Sequence, residues 1–148
     1  MISRMMVSLG ISVAGLLATG CSQGDFPTAK VSGVVTCEGT PVAKAMVYFE
    51  PLTAGEQTGA TVGKQGFAFT DDAGRYELST YGDKDGAVVG KHRVRVGGPE
   101  AKCNCSLNEE NTLLEVEVKA GEANVFDIAL PPATPADQAR AEMNSEDD

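Results

Sequence analysis

Three cysteines in the interior of the chain, at positions 37, 103 and 105, have side chains suited to redox or soft-metal chemistry. Thiols pair into disulfides, and thiolates bind Cu(I) or Zn²⁺. Because three is an odd number, one chain closes at most one disulfide among them and keeps one thiol. Cys103 and Cys105 would form a very small ring together, so we expect Cys37 to pair with one of them. One alternative is a soft-metal site in which Cys103 and Cys105 are joined by Cys37 or by His92, and another is intermolecular pairing through the spare thiol.

The stretch GDKDGAVVGKH, residues 82–92, contains a second set of candidate ligands. Asp83 and Asp85 precede Gly86 in the D-x-D-G order that begins a calcium loop, and Ca²⁺ needs six to eight oxygen ligands. Ala87 occupies the next ligand position, and the eight residues after Gly86 include no carboxylate. The alternative is a turn in which the Asp side chains bind the backbone and Gly86 takes a positive φ.

His92 is the single histidine of the chain. It lies two and four residues before Val94 and Val96, so in a strand its side chain points to the same side as theirs. This spacing indicates a packing residue on the core-facing side. A catalytic role would require a nucleophile with an orienting acid, or further histidines around a metal. We therefore predict a protein that is not an enzyme and that has no cofactor.

The elements that must position these residues show a repeated period of two. Such alternation is typical of half-buried antiparallel strands, with one face toward a core and the other toward water. Asp71-Asp72-Ala73-Gly74 between two of the runs fits a type I turn with a positive φ at Gly74. The residues expected on the core-facing sides are Val31, Gly33, Val35, Cys37, Ala45, Val47, Phe49, Phe67, Phe69, Tyr76, Leu78, Thr80, His92, Val94, Val96, Leu114, Val116, Val118, Phe126, Ile128 and Leu130.

Seven such runs predict one all-β domain over residues 30–131, a seven-stranded β-sandwich. The charged residues on the opposite faces, Arg93 and Arg95 in one run and Glu115 and Glu117 in another, are expected in solvent. Two flanking segments contain few large apolar side chains. Residues 21–29 form a short polar tether, and residues 132–148 form an acidic tail that we expect to be disordered.

Residues 1–20 are typical of a secretory signal, with Arg4 followed by an apolar stretch that lacks acidic residues. The stretch ends in LLATGC, which resembles a bacterial lipobox although Ala18 stands where leucine is preferred. The resemblance implies cleavage before Cys21 and lipid attachment to its sulfur. Two or more acyl chains give stable membrane anchoring without a spanning helix. The alternative is an ordinary secreted protein, cleaved within residues 18–20, with Cys21 unmodified.

The charge of the chain excludes some partner classes. The formal net charge is −9 and no basic patch is present, so nucleic acid and anionic lipid headgroups are poor partners. Tryptophan is absent, which argues against sugar stacking. The predicted membrane contact is therefore the lipid anchor itself.

Three stretches of the chain together resemble a known family. They are VSGVVTCEGTPVAKAMVYFEP, TDDAGRYELSTYGDKDGAVVGKHRVRV and VEVKAGEANVFDIAL, and they span residues 31–130. They are similar to the carboxypeptidase regulatory-like domains of planctomycete-type bacterial lipoproteins. The resemblance implies a transthyretin-like, Greek-key sandwich of about seven strands and a surface module without an assigned activity. Cys37 and the CNC sequence are not part of the family pattern.

These observations predict a non-catalytic lipoprotein of the cell envelope, at the outer membrane or facing the periplasm or cell surface. Its β-sandwich would act as a binding or structural module for a protein or another envelope component. The alternative function is a thiol-dependent metal-binding or redox protein that uses Cys103 and Cys105 with Cys37 or His92.

Overall fold

The computed structural model describes residues 26–52, 63–98, 101, 103–108, 110 and 113–139. The predicted signal (1–20), the lipid-attachment residue Cys21, most of the tether and the last part of the acidic tail lie outside the described residues. Over the described ranges the protein is all-β, with one short helix at 135–139. This part of the chain contains no helix that is both long enough and apolar enough to span a membrane.

Eleven strands occur among the described residues, and four of them contain only two residues. Each of the seven predicted runs overlaps one of the longer strands, but the count of seven is not what the structure shows. The strands are β1 (Thr28–Ala29), β2 (Val31–Cys37), β3 (Thr40–Pro41), β4 (Met46–Pro51), β5 (Gly66–Phe69), β6 (Arg75–Glu77), β7 (Ala87–Val88), β8 (Gly90–Gly97), β9 (Leu114–Val118), β10 (Asn124–Val125) and β11 (Ile128–Leu130).

The strands form three hydrogen-bonded sheets. One is four-stranded and antiparallel in the order β5–β4–β8–β9, and a small one pairs β1 with β7. In the third, β2 pairs antiparallel with β3 and β6 but parallel with β10 and β11. The expectation of purely antiparallel pairing is therefore wrong for β2. The strands between β2 and β10 supply the long crossover that a parallel pair requires.

The two larger sheets bury one shared core, an arrangement consistent with a β-sandwich. The ring of Phe49 in β4 lies 6.4 Å from that of Tyr76 in β6 and 5.9 Å from that of Phe126, measured between centroids. Most positions predicted to face the core are buried, which confirms the assigned faces of β2, β4, β6, β8 and β11. The buried ones are Val31, Gly33, Val35, Cys37, Ala45, Val47, Phe49, Tyr76, Leu78, Thr80, His92, Val94, Val96, Val118, Ile128 and Leu130.

The prediction that Phe67 and Phe69 face the core is wrong. Their side chains are 45% and 59% exposed, whereas Ala68 between them is buried. Phe67 lies opposite Tyr48 and Phe69 lies opposite Met46 in the neighbouring strand β4. Because directly opposed residues share a face of the sheet, and β4 turns Val47 and Phe49 inward, the two phenylalanines must point outward.

The structure also differs from the predicted disordered tail over residues 132–139. Thr134 and Asp137 cap the short helix reciprocally, since the Asp137 carboxylate accepts hydrogen bonds from the backbone N–H of Thr134 at 2.8 Å and from its hydroxyl at 2.7 Å. The Thr134 hydroxyl in turn accepts from the backbone N–H of Asp137 at 3.3 Å. Pro135 at the first helical position suits a helix start, because its missing N–H would be unpaired there anyway.

Gly33 allows β2 to approach the segment that joins β10 to β11. A Cβ atom at this position would lie 2.0 Å from the carbonyl oxygen of Phe126 and 2.9 Å from the ring of Tyr76. The Tyr76 hydroxyl donates a hydrogen bond of 2.6 Å to the same carbonyl. Burial, with a further contribution from Asp127, raises the pKa of Tyr76 above its usual range, so the hydroxyl keeps its proton.

We predict that Gly33→Ala lowers the free energy of unfolding by about 2 kcal/mol or more, because the added methyl group overpacks the contact between β2 and Phe126. Gly82→Ala is the matched control, since the nearest atoms to its Cβ lie 4.0 Å away in Asp85. That control is expected to change stability by less than about 0.5 kcal/mol. Urea unfolding measures both values, and equal effects of the two substitutions would contradict the prediction.

Candidate functional site

The three interior cysteines meet at one end of β2. Cys37 is the last residue of that strand, paired in register with Leu130 of β11 on one side and with Thr40 of β3 on the other. Glu38 and Gly39 turn the chain from β2 into β3, with φ values of 50° and 82°. Positive φ at both central residues is typical of a two-residue hairpin turn of type I′. Cys37 is therefore held from both edges of its strand.

Backbone hydrogen bonds hold the CNC segment beside the residues that follow β11. The N–H of Ser106 donates to the carbonyl of Pro131 at 2.8 Å, and the N–H of Ala133 donates to the carbonyl of Asn104 at 3.2 Å. Between them, Cys105 and Pro132 form an antiparallel bridge. Side chains two residues apart in an extended segment point to the same side. Cys103 and Cys105 consequently both reach toward Cys37.

Cys37 and Cys105 form a disulfide, with their Cα atoms 5.8 Å apart. This bond is the predicted pairing of Cys37 with one cysteine of the CNC sequence, and the structure selects Cys105. Cys103 is a free, half-buried thiol that contacts the carbonyl oxygen of Cys105, with its sulfur 3.9 Å from that oxygen. The three sulfur atoms lie within 4.8 Å of one another. Among the residues that the structure describes, no other three ligand atoms of His, Cys, Asp or Glu side chains lie this close together.

An open cavity of about 200 Å³ adjoins this sulfur cluster, which we define as Cys37, Cys103 and Cys105. Its walls include Cys37 and Cys103, together with Asn104 and residues of the β2–β3 hairpin such as Glu38. Cys105 does not line the cavity and is 5% exposed. Cys37 is nearly as buried, at 6% exposed, so the half-buried Cys103 is the cysteine that a small reactant would meet first.

His92 lies in the core and not in the sulfur cluster. It is fully buried in β8 and packs against Phe49, with 5.9 Å between ring centroids. Its Nδ1 lies 3.1 Å from the carbonyl oxygen of Gly90, and its Nε2 has no hydrogen-bond partner among the residues that the structure describes. Burial lowers the pKa of His92, and the bond to Gly90 only partly offsets this effect. The neutral ring therefore donates from Nδ1, and the prediction of a core-facing packing residue is confirmed.

Asp85 organises the turn that looked like a calcium loop. Its carboxylate accepts hydrogen bonds from the backbone N–H groups of Thr80 at 2.7 Å, Tyr81 at 3.0 Å and Gly82 at 3.0 Å. Burial alone would raise the pKa of Asp85, but these backbone donors outweigh it and the pKa is lowered. The donors occupy the lone pairs that a cation would need, while Asp83 lies exposed on the turn. The geometry thus supports the interpretation of this stretch as a turn and not as a calcium loop.

Gly86 completes this turn with a φ of 94°, as the turn interpretation requires. A Cβ atom there would lie 1.8 Å from the carbonyl oxygen of Ala29. The stretch therefore places β7 against β1 and leads directly into β8. The sequence pattern of residues 82–92 is therefore that of a structural connection between strands.

Comparison with known proteins leaves the family of this chain unassigned. No protein-family model matches the chain, and no curated protein matches it either. Among solved structures, it is similar to a DUF3823 family protein from Parabacteroides merdae ATCC 43184, with 15% sequence identity and a TM-score of 0.42. The match covers 73% of this chain and 48% of that chain, so this chain spans about half the length of that protein. The resemblance to carboxypeptidase regulatory-like domains stays a prediction.

We predict that Cys37→Ser lowers the free energy of unfolding by about 4 kcal/mol, because the bond crosslinks residues 68 positions apart and restricts the unfolded chain. Cys37 is the informative position, since replacing Cys105 would leave Cys103 free to take its place. Cys103→Ser is the control and is expected to change stability by less than about 0.5 kcal/mol. The reference protein and both variants carry Cys21→Ser, which prevents Cys21 from forming a disulfide with another cysteine. Equal stabilities in urea unfolding would contradict the assigned bond.

We also predict that the protein loses stability as the pH falls below about 6.5. His92 binds a proton at its ordinary pKa of 6.5 in the unfolded chain but at a lower pKa in the folded chain, so acid favours unfolding. One such proton gives a slope of at most about 1.4 kcal/mol per pH unit. Urea unfolding between pH 7 and pH 5 measures the slope, which His92→Phe should flatten. The same slope in both proteins would exclude His92 as its source.

Proposed function

We propose that the protein is a non-catalytic, lipid-anchored module of the bacterial cell envelope that presents a β-sandwich in a binding or structural role. The observation that carries this proposal is the disulfide between Cys37 and Cys105. Structural disulfides persist in oxidising compartments such as the periplasm and the cell surface, and they are rare in the cytosol. The lipobox-like sequence before Cys21 supports the same destination.

The proposal includes a transthyretin-like, Greek-key sandwich of the carboxypeptidase regulatory-like type over residues 30–131. Support comes from the structural roles of the motif positions. In the TDDAG motif of the second family-like stretch, residues 70–74, Gly74 has a φ of 71°, and a Cβ there would lie 2.6 Å from the carbonyl oxygen of Val35. In the AMVYF motif of the first family-like stretch, residues 45–49, the side chains of Ala45, Val47 and Phe49 are all fully buried. The motif residues are therefore those that the core and its turns require.

The anchor is tested by expressing the wild-type chain and Cys21→Ser in a bacterium and separating membranes from soluble envelope contents. We expect the wild-type protein in the membrane fraction, with an intact mass that includes acyl chains, because two or more chains hold a protein on a bilayer stably. Cys21→Ser should be released into the soluble fraction, whereas the control Cys103→Ser should stay with the membranes. Identical fractionation of wild type and Cys21→Ser would contradict the anchor.

A second candidate function is thiol-dependent metal binding or redox chemistry at the sulfur cluster. One specific observation favours it, namely that three sulfur atoms lie within 4.8 Å of one another. The third sulfur comes from Cys37, while His92 is buried in the core. A structural disulfide alone needs two cysteines, and the additional thiol of Cys103 beside it provides a nucleophile or a ligand.

A further inference from the structure

We infer that the sulfur cluster, once its disulfide is reduced, is a three-thiolate binding site for Cu(I). The inference rests on the second candidate function above and names the ligand for it. It does not depend on the lipid anchor. The disulfide and the metal ion are then alternative states of the same three side chains.

Backbone hydrogen bonds, in addition to the disulfide, hold the three cysteines near one another. Cys37 is fixed by strand pairing to Leu130 and Thr40 on its two sides. The CNC segment is fixed by the hydrogen bond from Ser106 to Pro131 and by that from Ala133 to Asn104. None of these bonds involves a sulfur atom. Reduction therefore removes one covalent bond but leaves the three thiols on converging backbone segments.

The type and number of ligands favour Cu(I). Thiolates are soft ligands that select Cu(I) and Zn²⁺ over harder cations. Structural Zn²⁺ sites are almost always tetrahedral and require four ligands, whereas three sulfurs suffice for trigonal Cu(I). Over the described parts of the chain, no His, Asp or Glu ligand atom joins the group of three sulfurs. A trigonal site of three thiolates is the coordination that these residues offer.

The cluster is also accessible from solvent. The open cavity of about 200 Å³ is lined by Cys37 and Cys103, and Cys103 is only half-buried. An ion or a small reductant therefore has a path to Cys103, while Cys37, which is 6% exposed, forms part of the cavity wall. Asn104 and the hairpin residue Glu38 form part of the walls of this path. A metal site needs such a path as well as a suitable ligand set.

The two states are related by a balanced reaction. A dithiol reductant transfers two electrons and two protons to the bond between Cys37 and Cys105, which gives two thiols and the reductant's own disulfide. Cu(I) then replaces the protons of the three thiols, so three protons are released for each ion bound. With the disulfide intact, Cys103 is the one member of the sulfur cluster that retains a thiol, and the three-coordinate site does not exist.

The test is an anaerobic Cu(I) titration of the protein in competition with a chromophoric Cu(I) chelator, in a Cys21→Ser background. The protein is either kept oxidised or reduced with a dithiol that is then removed. We expect the reduced protein to take up one Cu(I) with thiolate-to-copper charge-transfer absorption. Cys103→Ser should bind Cu(I) at least tenfold more weakly after reduction, and the oxidised protein should show the same weakening or more.

Circular dichroism before and after Cu(I) addition makes every outcome decisive. Suppose first that the reduced protein keeps its β signal. The inference is then overturned if this protein binds Cu(I) no more tightly than the oxidised protein does. It is also overturned if reduced Cys103→Ser binds Cu(I) as tightly as the reduced protein with all three cysteines. If reduction unfolds the protein, Cu(I) must restore the β signal, because metal binding is then coupled to folding; failure to do so overturns it as well. Alkylation of the oxidised protein before titration separates the two proposals. If alkylation of the oxidised protein modifies one of the three cysteines, the disulfide and a free thiol are both present. The proposed redox function then stands even when Cu(I) fails to bind.

Discussion

Hydrogen bonding along both edges of β2 is the constraint on which the rest of the domain depends. This strand pairs antiparallel with β3 and β6 and parallel with β10 and β11. A strand paired on both edges must also fit closely at its centre, and Gly33 meets this demand because any side chain would collide with the carbonyl of Phe126. The inward side chains of β2 belong to the same buried core as those of β4 and β8 in the opposite sheet.

The sulfur cluster is a consequence of this arrangement. Because β11 runs parallel to β2, both strands end at the same edge of the domain, and the residues after Leu130 continue beside Cys37. The segment containing Cys103 and Cys105 pairs with these residues and so reaches the same edge. The disulfide ties the connection between β8 and β9 to the central strand. The neighbouring free thiol of Cys103 is the third ligand of the proposed Cu(I) site.

Local sequence predicted the faces of most strands but not the pairing between distant ones. Alternation shows which residues share a face, yet it does not say which face is inward. Phe67 and Phe69 were assigned to the wrong side because only their register with β4 decides it. The parallel pairing of β2 with β11 likewise depends on contacts far apart in the chain. A signal for the helix at 135–139 was present in the TPAD sequence, a capping box that the acidic composition of the tail obscured.

The candidate site was predicted to a similar extent. Cysteine number and ring size predicted one disulfide from Cys37 to the CNC sequence, and the structure forms it. The choice between Cys103 and Cys105 could not be made from sequence, since both have the same parity and reach the same side. That choice depends on the bridge between Cys105 and Pro132. Peptide mapping of the native protein, alkylated under denaturing acidic conditions, tests it most directly. Trypsin should yield residues 31–44 linked to residues 103–119, with one alkyl group on Cys103. Unlinked peptides with all three cysteines alkylated, or an alkyl group on Cys105, would contradict the account.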